Sequence, residues 1–250
     1  MNALARKVVG YAVAVIALVG GWQAVSALIG SPALPGPQPA IGAFLRLLPE
    51  LWPETLVSLA RVVGAMAIGT VLAVPLGLAV GRSRKADAVM GPILFLTYPV
   101  PKVVFLPVLL VLLGLESAPK VALIAIVIFF QILVTTRDAA KAVSQGAVLS
   151  VRSLGGGRLD IARHVVFPAA LPEIFTALRI GTGTAIAVLF VAESIAGASG
   201  LGFFIVDAWG LIDYPRMFAG ILAMALLGVV LYEALDMLEL WATRWRRVAR

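Results

Sequence analysis

The chain has 250 residues, 61% of them hydrophobic and only 13% charged, with a mean hydropathy of +1.03. Ordinary soluble domains are about half apolar and about a quarter charged, so this composition excludes a soluble globular enzyme and a disordered chain. The absence of cysteine and the single histidine, His164, exclude a disulfide framework and leave too few ligands for a typical zinc or haem site. The net charge of +7 fits either a nucleic-acid binder or a membrane protein with one basic side.

Val8 to Ile29 is an apolar run interrupted only by Gln23 and Ser26. As a helix it reaches about 33 Å, enough to cross a hydrocarbon core. Arg6, Lys7 and the small residues Ala24 to Ala27 also fit a cleaved leader. A leader's apolar core is only about 7–15 residues, so the run reads as a retained first span. Ser31 to Pro39 holds four prolines and a glycine and is expected to be a loop. Ala40 to Leu51 is an amphipathic stretch expected along the membrane surface. Leu56 to Val80 forms the second span, with Arg61 near its start, and residues 81–85 make a basic turn. Gly91 to Leu115 is a third apolar segment broken by Pro92, Pro99, Pro101 and Pro107. Kinks of this density are tolerated in a membrane only where neighbours or a watered cavity satisfy the freed carbonyls. Pro119 to Thr136 is the fourth span.

Residues 137–179 hold six Lys or Arg, a triple-glycine turn and Pro168 and Pro172. The stretch is too polar to span as one piece and too long for a tight hairpin, and short surface helices are expected. Leu159, Ala162, Val165 and Val166 would share one face, opposite Arg158, Asp160, Arg163 and His164. Ile174 to Ile195 is the fifth span, residues 197–216 a loop rich in glycine and aromatics, and Met217 to Leu238 the sixth span. The expected organisation is an N-terminal span and linker over 1–54, a core over 55–240 and a basic tail over 241–250. The fold class is an all-α polytopic membrane protein with six transmembrane helices.

Six spans put both ends of the chain on one side. That side carries fifteen of the 20 basic residues, against Arg46, Lys120 and Arg216 on the other, with Arg61 and Lys102 inside spans. This bias places the termini and the 137–179 loop in the cytoplasm. The positive charge is then a topology signal, and no aromatic-basic surface or recognition motif points to nucleic acid.

There is no phosphate-binding loop, HExxH motif or nucleophile elbow. Gly155-Gly156-Gly157 lacks the preceding strand and spacing of a nucleotide fingerprint and reads as a helix-ending turn. Glu193 is the only acid well placed in the first five spans, and Glu233, Asp236 and Glu239 lie near the end of the sixth. That is a thin relay for ion coupling, so the energy for uphill transport is expected from a partner.

Residues 149–175 read LSVRSLGGGRLDIARHVVFPAALPEIF. They resemble permease subunits of bacterial ABC importers, closest to the nitrate/sulfonate/taurine subfamily, where R-S-L-G-A and V-V-L-P-A-A-L-P-x-I are typical. Arg152, Ser153, Leu154 and Gly155 match the first pattern and Val165 to Ile174 the second. The likeness extends over most of residues 55–240, through RVVGAMAIGTVLAVPLGLAVG, YPVPKVVFLPVLLVLLGL, LRIGTGTAIAVLFVAES and SGLGFFIVDA. One departure is Leu149-Ser150-Val151 in place of the family's E-A-A triplet. The resemblance implies a type I importer fold with cytoplasmic coupling helices, in a bacterial inner membrane. It implies ATPase coupling at Arg152, Ser153, Leu154, Gly155, Arg158, Asp160 and Pro168. It also implies a cytoplasmic ABC ATPase dimer holding ATP and Mg, a second permease copy and an external solute-binding protein, with no catalysis and no cofactor in this chain. The implied cargo is a small anion such as a sulfonate, taurine or nitrate, or alternatively a vitamin precursor or aromatic acid.

Candidate pathway residues are Lys102 and Glu193 with the flanking Pro99 and Pro101. A charge in mid-span costs about 2.5–3.5 kcal/mol unless it meets water or a counter-charge. Lys102 therefore either lines the pathway, snorkels or pairs with Glu193. Arg61 is expected to snorkel, His164 to be a polar-face residue, and Trp209, Trp241 and Trp245 to be interfacial anchors contacting lipid. Gly200 and Gly202 are expected to permit a tight turn. The competing class is an ion-coupled carrier or channel subunit.

Overall fold

The computed structural model describes residues 3–245; Arg246, Arg247 and Arg250 of the expected tail lie outside the described residues. Helix α1 (Ala3–Ile29) is apolar on all sides and nearly all of its described side chains face outward, as suits a helix surrounded by lipid. Near its start Tyr11 Oη reaches Glu233 Oε1 of the last helix at 3.5 Å, and its Ile29 end is held more closely. Trp22 stacks on Phe218 with ring centroids 5.7 Å apart and donates from Nε1 to the Pro35 carbonyl at 3.0 Å. Ser26 Oγ donates to the Leu34 carbonyl at 2.8 Å.

Helix α2 (Pro37–Arg46) starts on a proline, whose fixed φ and missing N–H suit a first turn. Its small Ala40 and Ala43 are buried, and its main packing partner is helix α11 (Tyr214–Ala242). The amphipathic stretch thus turns its small-residue face to protein, and it ends at Leu47 where helix α3 (Leu48–Gly81) begins. Along α3, Ala65, Gly69, Ala73, Gly77 and Gly81 recur every fourth residue and face helix α6 (Ser117–Ala142), the most extensive pairing in the fold. A methyl on Gly77 would meet Thr136 Cβ at 2.8 Å, so the close approach of these backbones requires glycine there.

The proline-rich segment is a broken span. Ser83 caps helix α4 (Arg84–Thr97) by accepting from the Ala86 N–H at 3.2 Å. A break at residues 98–101 and a 3₁₀ turn (Lys102–Phe105) lead into helix α5 (Leu106–Leu113), bent 82° from α4. Asp87 of α4 pairs with Arg137 and Lys141 of α6 at 2.5 and 2.7 Å, fixing the start of the broken span.

The stretch 137–179 is not loop throughout: α6 continues to Ala142, and helix α9 (Phe167–Ala196) begins before Pro168. Between them lie helix α7 (Gln145–Ser153), helix α8 (Arg158–Ile161) and a π-helical turn (Ala162–Val166) that runs on into α9. The wider turn shifts the register of the apolar face. Ile161 and Val166 pack with Ala140 and Val148 in a small satellite core, while Leu159, expected on that face, is 79% exposed.

Residues 197–216 also differ from expectation. Glycine and aromatic content suggested a loop, yet helix α10 (Leu201–Gly210) fills it, burying Leu201, Phe204, Ile205 and Ala208. Only Gly200, with φ +101°, and Ile212, with φ 59°, mark turns. Among the described residues five helices are long and apolar enough to cross a membrane, and the bent pair makes six. The main core runs through α3, α6, α9, α10 and α11.

Candidate functional site

Three places gather the candidate residues. The first is a cleft of about 440 Å³ beside the broken span, lined by Pro99, Pro101 and Lys102 and closed by Phe130 and Gln131 of α6 and Thr184 of α9. The break frees carbonyls at the end of α4, and the Lys102 ammonium takes them: Nζ donates to the Thr97 carbonyl at 3.0 Å and the Tyr98 carbonyl at 2.5 Å. It also lies 5.2 and 4.9 Å from the Tyr98 and Phe130 ring centroids. An ammonium has three donors, so one is left for the cleft. Its charge is offset by carbonyl dipoles and ring faces, with no carboxylate partner among the described residues.

Glu193 is not part of that cleft and does not meet Lys102. It is 0% exposed, and its partner is Arg61, 4% exposed, with Nη1 donating to Oε1 at 2.7 Å. Ser58 Oγ lies 2.9 Å from both carboxylate oxygens, sharing its proton between them, and accepts from the Leu201 N–H at 2.9 Å. The Gly202 N–H donates to Oε2 at 2.8 Å. Arg61 also donates from Nη1 and Nη2 to the Ser199 carbonyl and hydroxyl, both at 2.8 Å, and from Nε to Ser117 Oγ at 3.0 Å. Arg61 therefore does not snorkel: a counter-charge and three further acceptors hold it inside. Gly200 turns the chain here while its N–H donates to Glu54. A Cβ on Gly202 would strike Glu193 Cβ at 2.7 Å, so the expected tight turn serves to seat the carboxylate.

Lys120, at the expected non-cytoplasmic start of the fourth span, is a further buried cation. It is 1% exposed, and its ammonium donates at 2.8 Å to the Leu115 and Glu116 carbonyls at the start of α6. A signal for the Arg61–Glu193 pair did exist. Each charge is costly alone inside a span, and pairing is the ordinary remedy.

The third place is the α7–α8 turn. Gly155, with φ +84°, ends α7: its N–H donates to the Arg152 carbonyl and that of Gly156 to the Val151 carbonyl, both at 3.0 Å. This is the glycine-terminated helix end anticipated for the triple glycine. Asp160 Oδ2 accepts from the Gly157 N–H at 2.8 Å and starts α8. Ser153 Oγ donates to the Ser150 carbonyl at 2.9 Å. Leu154, 87% exposed, and Leu159 stand out from this doubly tied turn, with Arg152 and Arg158 exposed beside them. Pro168 sits in the first turn of α9. Leu149 and Ser150, in place of the expected acid and first alanine, are exposed on α7.

The acids near the end of α11 are engaged: Arg179 pairs with Asp236 at 2.9 Å and with Glu239. Among the described residues, no three His, Cys, Asp or Glu gather where they would hold a metal ion.

Comparison with known proteins matches residues 69–244 to the family described as "Binding-protein-dependent transport system inner membrane component". The chain is 32% identical over 232 residues to the taurine transport system permease protein TauC of Escherichia coli, covering 90% of this chain and 84% of that one. It is 31% identical over 240 residues to the riboflavin transport system permease protein RibX of Chloroflexus aurantiacus, covering 94% and 90%. A putative aliphatic sulfonates transport permease protein, SsuC of Bacillus subtilis, is 28% identical over 233 residues, covering 92% and 84%. Among solved structures, an inward-facing MetNI methionine ABC transporter chain superposes with TM-score 0.64 at 21% identity, over 78% of this chain and 98% of that one. The broken span, the capped turn and the six-span helical fold thus belong to a multi-pass permease, and the chain is a member of the binding-protein-dependent transport system inner membrane component family.

Proposed function

We propose that this permease imports a small organic anion of the taurine and sulfonate type, driven by ATP hydrolysis on a separate cytoplasmic ATPase dimer that holds ATP and Mg. A second copy of the chain would complete the pathway, and a solute-binding protein would deliver cargo to the side opposite the coupling turn. The chain itself supplies no catalytic group. Both termini and the α7–α8 turn would lie in the cytoplasm, a placement that the Lys and Arg bias supports.

The observation that carries the substrate class is Lys102: a cation with a spare donor at the wall of a cleft in a broken span, set among Pro99 and Pro101. A sulfonate offers the matching charge and acceptors. At the other end, Leu154 and Leu159 form the knob that seats in the ATPase, and Arg152, Arg158 and the rigid turn at Ser153, Gly155 and Asp160 set its angle. Closure of the ATPase would then move α9 through the helix start at Pro168, rocking the bundle between two states. Glu193 takes the part of a gate anchor, tying α3 to the α9–α10 turn, and makes no contact with cargo.

The test is uptake by proteoliposomes holding permease, ATPase and solute-binding protein. ATP-dependent uptake of labelled taurine is expected, with competition from short alkanesulfonates. Lys102→Met is expected to reduce uptake at low substrate by about tenfold, the size of one modest charge contact, and Lys102→Arg to restore most of it. Competition by riboflavin but not by sulfonates would favour the second reading, for which the Tyr98 and Phe130 rings offer stacking faces.

A further inference from the structure

Where α3 ends at the basic turn, α3, α7 and α8 enclose a cavity of about 790 Å³ separate from the cleft at Lys102. Its wall is apolar, with Leu78, Ile161 and Val166, and its rim carries Arg82, Arg152 and Arg158. Arg82 reaches only the Ala140 and Val143 carbonyls, at 3.4 and 3.5 Å. Among the described residues none of the three guanidiniums has a carboxylate partner, whereas Arg61, Arg137 and Arg179 each do. Three unneutralised cations over one opening attract an anion, and their planar donors suit phosphate oxygens. The apolar wall asks for hydrocarbon.

Position along the span sharpens this. Leu78 and Pro75 precede Arg82 on nearly continuous helix by about 6 and 10 Å. The spacing resembles that between the phosphate layer of a bilayer and its first methylenes. An acidic side chain from a partner protein would answer the rim but leave the apolar wall unfilled. We propose that this cavity is a binding site for an anionic phospholipid, its phosphate between Arg82, Arg152 and Arg158 and the upper part of an acyl chain against Leu78, Ile161 and Val166. Basic pockets at the ends of membrane helices bind such headgroups by this combination of charge and burial. The site goes beyond the transport reading, and lipid binding is measured without the ATPase or cargo.

The experiment is native mass spectrometry of the purified permease in detergent with phosphatidylglycerol and phosphatidylcholine of identical chains. Wild type is expected to retain phosphatidylglycerol about tenfold better, a preference that does not depend on any variant folding. Arg82→Gln with Arg158→Gln is expected to abolish the preference, and Arg82→Lys with Arg158→Lys to keep most of it. Glycerol 3-phosphate, which has the anion without the chain, is expected not to bind at the same concentration. Equal retention of the two lipids by wild type would overturn the proposal, as would glycerol 3-phosphate binding as tightly as the lipid. A glutamine variant that keeps the lipid preference but no longer co-purifies with the ATPase would also overturn it, assigning these arginines to the partner protein.

Discussion

Replacing Glu193 by alanine is expected to destabilise the permease by about 3–5 kcal/mol, the usual cost of removing one partner of a buried ion pair. The reason is what stays behind. Arg61 is 4% exposed and would keep its charge next to Ser199 and Ser117 with no counter-ion, while Ser58 and the Gly202 N–H would lose their acceptor. Glu193→Gln keeps the shape and part of the hydrogen bonding, so an intermediate loss is expected. Replacing both partners, Arg61→Met with Glu193→Leu, is expected to recover much of the loss, since a buried pair is often no better than well-packed apolar groups. A double-mutant cycle of thermal unfolding in detergent measures this as a coupling energy. A coupling near zero would mean that the pair does not tie α3 to the α9–α10 turn.

Replacing Gly155 by valine is expected to uncouple transport from ATP hydrolysis with little loss of the folded bundle. A β-branched residue at φ +84° is strained by about 1–2 kcal/mol or more. Relief of that strain would break the turn bonds that aim Leu154. Open space surrounds the position of a Cβ on Gly155, so the effect comes from backbone conformation and not from a clash. Asparagine, which tolerates this conformation, is therefore expected to preserve function. Co-purification with the ATPase and ATP-driven uptake should both fall about tenfold or more in Gly155→Val, the yield from strain of this size. Both should remain near wild type in Gly155→Asn. Equal activity in the two variants would remove the turn from the coupling path.

The spans were legible because each is a long apolar run, and the broken one because prolines crowd residues 92–107; the break falls at Pro99 and Pro101, while Pro92 is carried inside α4 and Pro107 in the first turn of α5. The glycine-ended α7 was legible for the same local reason. What escaped depends on tertiary context. Arg61 and Glu193 are 132 positions apart, and no local pattern says that two such charges meet. Helix α10 carries Gly202 and Gly210 and little polar contrast, so burial against α11 and not propensity makes it a helix. The π-helical turn after Ile161 leaves Leu159 outside the apolar face because the backbone there is wider than a period of 3.6. Among the candidate site residues, Pro99, Pro101 and Lys102 come together as the proline break implies, and residues 152–160 come together because they are contiguous.

The most direct measurement is uptake of labelled taurine into proteoliposomes with the energy source varied. Uptake is expected only when the ATPase, the solute-binding protein and ATP with Mg are all present, and it is expected to persist when ion gradients are collapsed. Uptake by the permease alone, driven by a sodium or proton gradient without ATP, would contradict the account.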